Sequence, residues 1–165
     1  MKSRSFNDLY MSVVWSSQSG SSMSAAKNTT MNDNGYEYFF DQNYNCVLIL
    51  FYGDVDAERF IEVIQDFEQQ PDHHPSLNRL YDFRQAKILF SSNEIIALSG
   101  WAQLRNYADQ NRRVVHLSTD DVSFGLLRVL TAHSEAFSDN LIVTRKVDEA
   151  LLWMGLPKTF SLKAP

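Results

Sequence analysis

The 165-residue chain has one cysteine, Cys46, which excludes an intrachain disulfide framework and a multi-cysteine metal site. No apolar run approaches the ~18 residues that a spanning helix needs, so no membrane span is expected. Basic residues are the minority, 15 Lys+Arg against 20 Asp+Glu, for a net charge of −5. That balance argues against a broad nucleic-acid or anionic-membrane surface. The chain lacks a Gly-x-Ser-x-Gly elbow, a phosphate-cradling glycine loop and a dinucleotide glycine fingerprint. No internal repeat is visible, no spacing singles out a catalytic constellation, and neither an enzyme nor a cofactor is expected.

What is present suits one packed domain. Hydrophobic residues make up 44% and charged residues 21%, enough for a core. Residues 1–35 stand apart. Serine fills nine positions between Ser3 and Ser24, and Asn28, Thr29, Thr30, Asn32 and Asn34 follow. Such a stretch buries too little apolar surface to offset ordering entropy, so a disordered or non-native leader is expected. Met11–Trp15 is too short for the apolar core of a secretory signal, and Met31 is a candidate start. The domain is expected over 36–157, with 158–165 as a frayed tail.

Within the domain the pattern alternates. Tyr36–Asp41 suits an edge strand, and the turn cluster 41–45 joins it to the next as a hairpin. Cys46–Tyr52 is a continuous apolar run ending at Gly53, the pattern of a strand buried on both faces. Asp54 and Asp56 are candidate caps for a helix whose stripe is Ala57, Phe60, Ile61, Ile64 and Phe67. Leu77–Phe83 reads as a second core strand. Ser91 and Glu94 form a capping box, opening a helix that carries Ile95, Leu98, Trp101, Ala102, Arg105 and Ala108. Arg113–Leu117 is a third strand; Asp120 or Asp121 caps a helix through Phe124, Leu127, Leu130 and Phe137. Leu141–Thr144 is the last strand, Asp148 caps the last helix, and Gly155 suits its left-handed end. The order ββαβαβαβα predicts an α/β fold, a mostly parallel sheet with an antiparallel edge hairpin.

Three phrases and this order carry a resemblance. Leu80-Tyr81-Asp82-Phe83-Arg84, Asp120-Asp121-Val122-Ser123-Phe124-Gly125-Leu126 and Asp148–Gly155 resemble stretches of bacterial STAS-like proteins, the SpoIIAA-like relatives of the anti-sigma-factor antagonists. The resemblance spans about 36–156 and implies a STAS-like fold. The antagonists carry a phosphorylatable serine in a phrase near Asp-Ser-Ser-Gly. The matching stretch is Phe90-Ser91-Ser92-Asn93, which keeps both serines and replaces the acid and the glycine. The resemblance thus implies candidate phosphosites at Ser91 and Ser92, and a non-catalytic, cytoplasmic regulatory domain that docks a protein partner. The STAS-like fold is also similar to that of a group of lipid carriers. This gives the alternative of a small apolar-ligand or lipid carrier, with a pocket between sheet and helices and Asp82 or Arg84 near its mouth.

In open parallel sheets ligands gather beyond the carboxyl ends of the strands. Those ends supply the candidate ligand or partner surface: Asp54, Asp82, Arg84, Ser118, Thr119, Asp120 and Arg145. Asp82 and Arg84, two apart, share a strand face, where they pair or hold a polar ligand. His73 and His74 lack the further ligands of a structural zinc site, so no metal is expected. His116 and His133 read as structural histidines, and Cys46 as an inert buried thiol.

Overall fold

The computed structural model describes residues 35–105, 112–133 and 140–162. Residues 1–34 of the leader and the helix positions Ala108 and Phe137 lie outside them. In chain order the elements are β1 (Tyr36–Asp41), β2 (Cys46–Val55), α1 (Ala57–Glu68), β3 (Asn78–Ile88), α2 (Ser92–Leu104), β4 (Val114–Leu117), α3 (Asp121–His133), β5 (Leu141–Thr144) and α4 (Val147–Met154). The strands lie in the order β1-β2-β3-β4-β5. β1 runs antiparallel to β2, and the other neighbours are parallel. This is the ββαβαβαβα order and the mixed sheet that the sequence predicts.

The strand order explains the layering. From β2 to β5 the sheet grows in one direction, so right-handed crossovers place α1, α2 and α3 on the same face. Their apolar sides pack on Val47, Ile49, Phe51, Tyr81, Phe83 and Val114. No strand follows α4, and it covers the other face, on Leu48, Leu50, Leu80, Val115 and Leu117. β2 therefore buries alternate side chains on two cores, which is why Cys46–Phe51 is apolar throughout. Phe51 and Phe83 stack at 4.6 Å between ring centroids. Burial of a side chain of this size contributes about 1.5–3 kcal/mol.

Four boundaries differ from the sequence reading. β2 continues past Gly53, whose φ of 70° is open to glycine at little cost. Asp54 therefore lies in the strand, and Asp56 alone caps α1, accepting from Arg59 N at 2.8 Å. β3 runs five residues beyond Phe83. Leu50 faces Asp82 and Tyr52 faces Gln85, so β3 holds one extra residue in a bulge. After it, Ala86 and Ile88 turn inward while Gln85 and Lys87 stay exposed. At α4, Lys146 holds the cap position without a side-chain bond, and Asp148 sits inside the first turn. The turn is held instead by Thr144 Oγ1, which accepts from Lys146 N at 3.1 Å. Finally, 158–162 is part of the body. Leu162 is buried in the second core and Phe160 meets Tyr44 edge-on at 5.4 Å, so apolar docking ties this segment down.

Other expectations hold. Ser91 and Glu94 form the capping box, and Gly155 ends α4 with a φ of 72°. Among the described residues no helix is long and apolar enough to cross a membrane.

Candidate functional site

The carboxyl ends of the strands gather many of the polar residues singled out in the sequence and engage several of them in local caps and ion pairs. Asp120 caps α3, accepting from Ser123 N at 2.8 Å. That bond, ahead of the nearby Lys87, lowers its carboxyl pKa. Ser123 Oγ accepts from Ile88 N at 3.0 Å, fastening α3 to the end of β3. Arg145 is ion-paired with Asp121, and its guanidinium lies 4.3 Å from the Phe124 ring centre. Ser118 is fully buried; its backbone N donates to Thr144 O at 3.1 Å. Thr119 is exposed at the start of this corner. Asp54 is exposed too, on β2 opposite Lys87.

Asp82 and Arg84 form a unit of their own. The bulge leaves a backbone amide outside the ladder, and Arg84 N donates to Asp82 Oδ1 at 3.0 Å. Arg84 Nε and Nη2 then grip the same carboxylate at 2.9 and 2.6 Å. That hydrogen bond raises the Arg84 pKa against the opposing effect of burial. The pair is a brace across the bulge.

Ser91 is similarly occupied. Its hydroxyl donates to Glu94 Oε2 at 2.6 Å and accepts from Glu94 N at 3.3 Å. A phosphate there brings its charge against Glu94 and breaks the box. Ser92, the first residue of α2, is exposed.

A cavity of about 40 Å³ lies elsewhere, between the sheet and α1, α2 and α3. Arg79, Val114 and Leu141 place it toward the amino ends of β3, β4 and β5, opposite to the end expected. Phe60, Ile64, Leu98, Trp101 and Leu130 supply apolar wall. Asp82 and Arg84 are not in its lining; the charged groups there are Arg79 and Arg112, 2% and 3% exposed.

Arg79 is held on several sides. Its Nη2 is 2.9 Å from Glu68 Oε1 and 3.2 Å from His73 Nε2, and its Nη1 donates to Tyr81 OH at 3.4 Å. Its guanidinium also lies over Phe67, at 4.9 Å from the ring centre. Burial, then the charge of Arg79, lowers the His73 pKa, so Nε2 serves as the acceptor. Glu68 also binds Arg105. Arg112 Nη1 donates to Pro75 O at 3.2 Å. His74 has a separate partner, Ser76 Oγ at 2.9 Å.

His116 stands on β4 among rings, 5.2 Å from Tyr81 and 6.1 Å from Phe83 between centroids. Burial alone pulls its pKa down to about 3, so the imidazole is neutral. Its Nδ1 has no hydrogen-bond partner among the described residues. Burial likewise pushes the Cys46 thiol up to about 11, which keeps it inert. The sequence reading included a pocket between sheet and helices but placed Asp82 or Arg84 at its mouth; Arg79, Arg112 and the amino-end position were absent from it. The available signal was an arginine inside the core strand Leu77–Phe83, since arginine is seldom fully buried without partners.

No protein-family model and no curated protein matches this chain. Among solved structures it is similar to an uncharacterised DUF3478-family protein from Shewanella loihica, described as having a SpoIIAA-like fold. The two share 12% identity over 77% of this chain and 99% of that one, with a TM-score of 0.48.

Proposed function

We propose that this protein is a small cytoplasmic regulatory or protein-interaction domain, one that docks a partner protein and carries out no catalysis. The observation that carries this reading is α2. Its inner side packs Ile95, Leu98, Trp101 and Ala102 into the core. Its outer side carries large apolar side chains beside the exposed Asn93 and Gln103: Ile96 and Leu104 are 59% and 68% exposed, and Leu89, just ahead, 54%. A surface helix ordinarily turns a polar face to water, and clustered exposed apolar side chains mark interaction surfaces. A partner's apolar surface fits this helix. Ser92 lies at its start, where a phosphate gains from the helix dipole and alters the surface without breaking the capping box. The caps and ion pairs at the carboxyl ends support the non-catalytic reading, because they use those polar groups structurally.

The carrier alternative has the cavity in its favour. Its volume of about 40 Å³ is well below the ~150 Å³ of a cavity that holds benzene, so a lipid would have to push the helices apart.

The test is a photo-crosslinking residue placed at 96, at 104 and, as a control, at the exposed Asp148 on α4, in the native host. The expected result is one protein captured from both α2 positions, absent at 148 and lost in Leu89→Lys. Capture equal at all three positions, or none from α2, overturns the reading.

A further inference from the structure

Two neighbouring side chains in the cavity have unused hydrogen-bonding capacity. Tyr81 and His116 are register partners on β3 and β4, and both line it. Tyr81 OH accepts from Arg79 Nη1, but its own proton has no acceptor among the described residues. His116 Nδ1 has no partner either. Leaving such groups dry costs free energy that folding has no reason to spend. Arg79 and Arg112 bring two buried guanidinium groups to the same lining; Glu68, which is not in the lining, offsets one of the charges of Arg79, Arg112 and the nearby Arg105.

We propose that this cavity binds a short-chain monocarboxylate, with Tyr81, His116, Arg79 and Arg112 around the carboxylate and the apolar wall around its alkyl end. The proposal is independent of the docking surface on α2. The chemistry selects the ligand in three steps. Fixed guanidinium charge in a poorly hydrated space favours an anion, and both arginines are already positioned by other partners, so little ordering remains to be done on binding. The volume of about 40 Å³ has room for roughly three water-sized groups, at ~10–15 Å³ each, which suits a carboxylate with a very short alkyl group. Ile64, Leu98 and Leu130 then face the alkyl carbons, whereas a phosphate would press charge against them. Tyr81 donates to the carboxylate, and the neutral His116 donates to it from Nδ1 in the tautomer that carries its proton there.

The experiment is a titration of the full chain, ¹⁵N-labelled at histidine, with acetate, propionate, octanoate or chloride at constant ionic strength and neutral pH. The expected result is a saturable shift of the His116 ring signals with acetate or propionate, and little at His74 and His133. Tyr81→Phe keeps the ring and removes the donor; it is expected to weaken binding about tenfold or more. An absent His116 response to the short acids overturns the proposal and leaves the cavity to water. The same response to chloride overturns it as an adventitious ion only. Octanoate binding without propionate binding replaces the short-acid site with a chain carrier. Should the variant fail to fold, the wild-type titration decides alone.

Discussion

At the carboxyl ends of the strands Asp120 caps a helix, Arg145 lies against Asp121 and Glu94 closes a box with Ser91, all at or near water. Around the cavity Arg79, Arg112 and His116 are each under 5% exposed, and His116 Nδ1 has no hydrogen-bond partner among the described residues; at the carboxyl ends the buried Ser118 Oγ is the one such atom among the residues named there. The same residue types thus do different work at the two ends. Exposed polar groups can fall back on solvent, so their bonds are worth little individually; buried ones cannot, so every missing partner registers. The end that general fold experience marks for ligands is here largely engaged in structural bonds, with Ser118 Oγ as a buried exception, and the cavity lies under the three helices toward the other end.

That contrast is most sharply tested by removing one acid from each end. Glu68→Ala takes a carboxylate from the buried Arg79, and a loss of about 3–5 kcal/mol is expected. Asp121→Ala breaks an ion pair whose partners are both substantially exposed, and stability should stay within about 1 kcal/mol. Urea unfolding of the two variants measures both. Equal effects would show that the ends do not differ in this way.

A second test uses acid. The folded-state pKa of His116 is about 3, below the ordinary 6.5, so the unfolded chain takes the proton first. Its contribution is complete above pH 6.5 and is lost as the pH falls from 6.5 toward 3. Between pH 6.5 and 5 this amounts to about 2 kcal/mol, before most carboxylates titrate. His73, also lowered, adds in the same direction. His116→Phe keeps a ring among Tyr81 and Phe83 and should flatten the slope in that window; an unchanged slope places the sensitivity elsewhere.

The sequence made one half of this contrast legible. The doubly apolar run Cys46–Phe51 reports a strand between two cores, and the Ser91–Glu94 spacing reports a helix start, because both are local consequences of packing and capping. The extension of β3 was hidden by its bulge: an extra residue resets the alternation, and Arg84-Gln85 reads as the end of a strand. The tail reads as frayed because Phe160 and Leu162 are too few to show periodicity, and their burial depends on a sheet face built from distant strands. The cavity depends on Arg79, Tyr81, Arg112 and His116 being brought together from β3, the approach to β4, and β4 itself. No spacing along the chain encodes that meeting.

A smaller effect is expected at the box itself. Ser91→Ala removes the hydroxyl that accepts from Glu94 N, while Ser91 N still donates to the Glu94 carboxylate at 2.7 Å. About 1 kcal/mol should be lost, measured by thermal unfolding. A loss as large as that of Glu68→Ala would mean that this exposed corner is as dependent on its partners as the buried one.

The smallest expected effect has the opposite sign and separates folding from docking. Gly100 lies on α2 four residues from both Ile96 and Leu104, and a Cβ added there meets nothing within 4 Å. Inside a helix, glycine costs about 0.5–1 kcal/mol relative to alanine, through backbone entropy. Gly100→Ala should therefore stabilise the isolated domain by about that amount, because nothing among the described residues opposes the methyl group. If a partner's apolar surface packs closely between Ile96 and Leu104, the same methyl group meets it and crosslinking from position 96 falls. Stabilisation together with weakened capture is the signature of a helix shaped for contact outside its own fold. Stabilisation with undiminished capture would move the docking surface away from the middle of α2, toward Leu89 and Ser92.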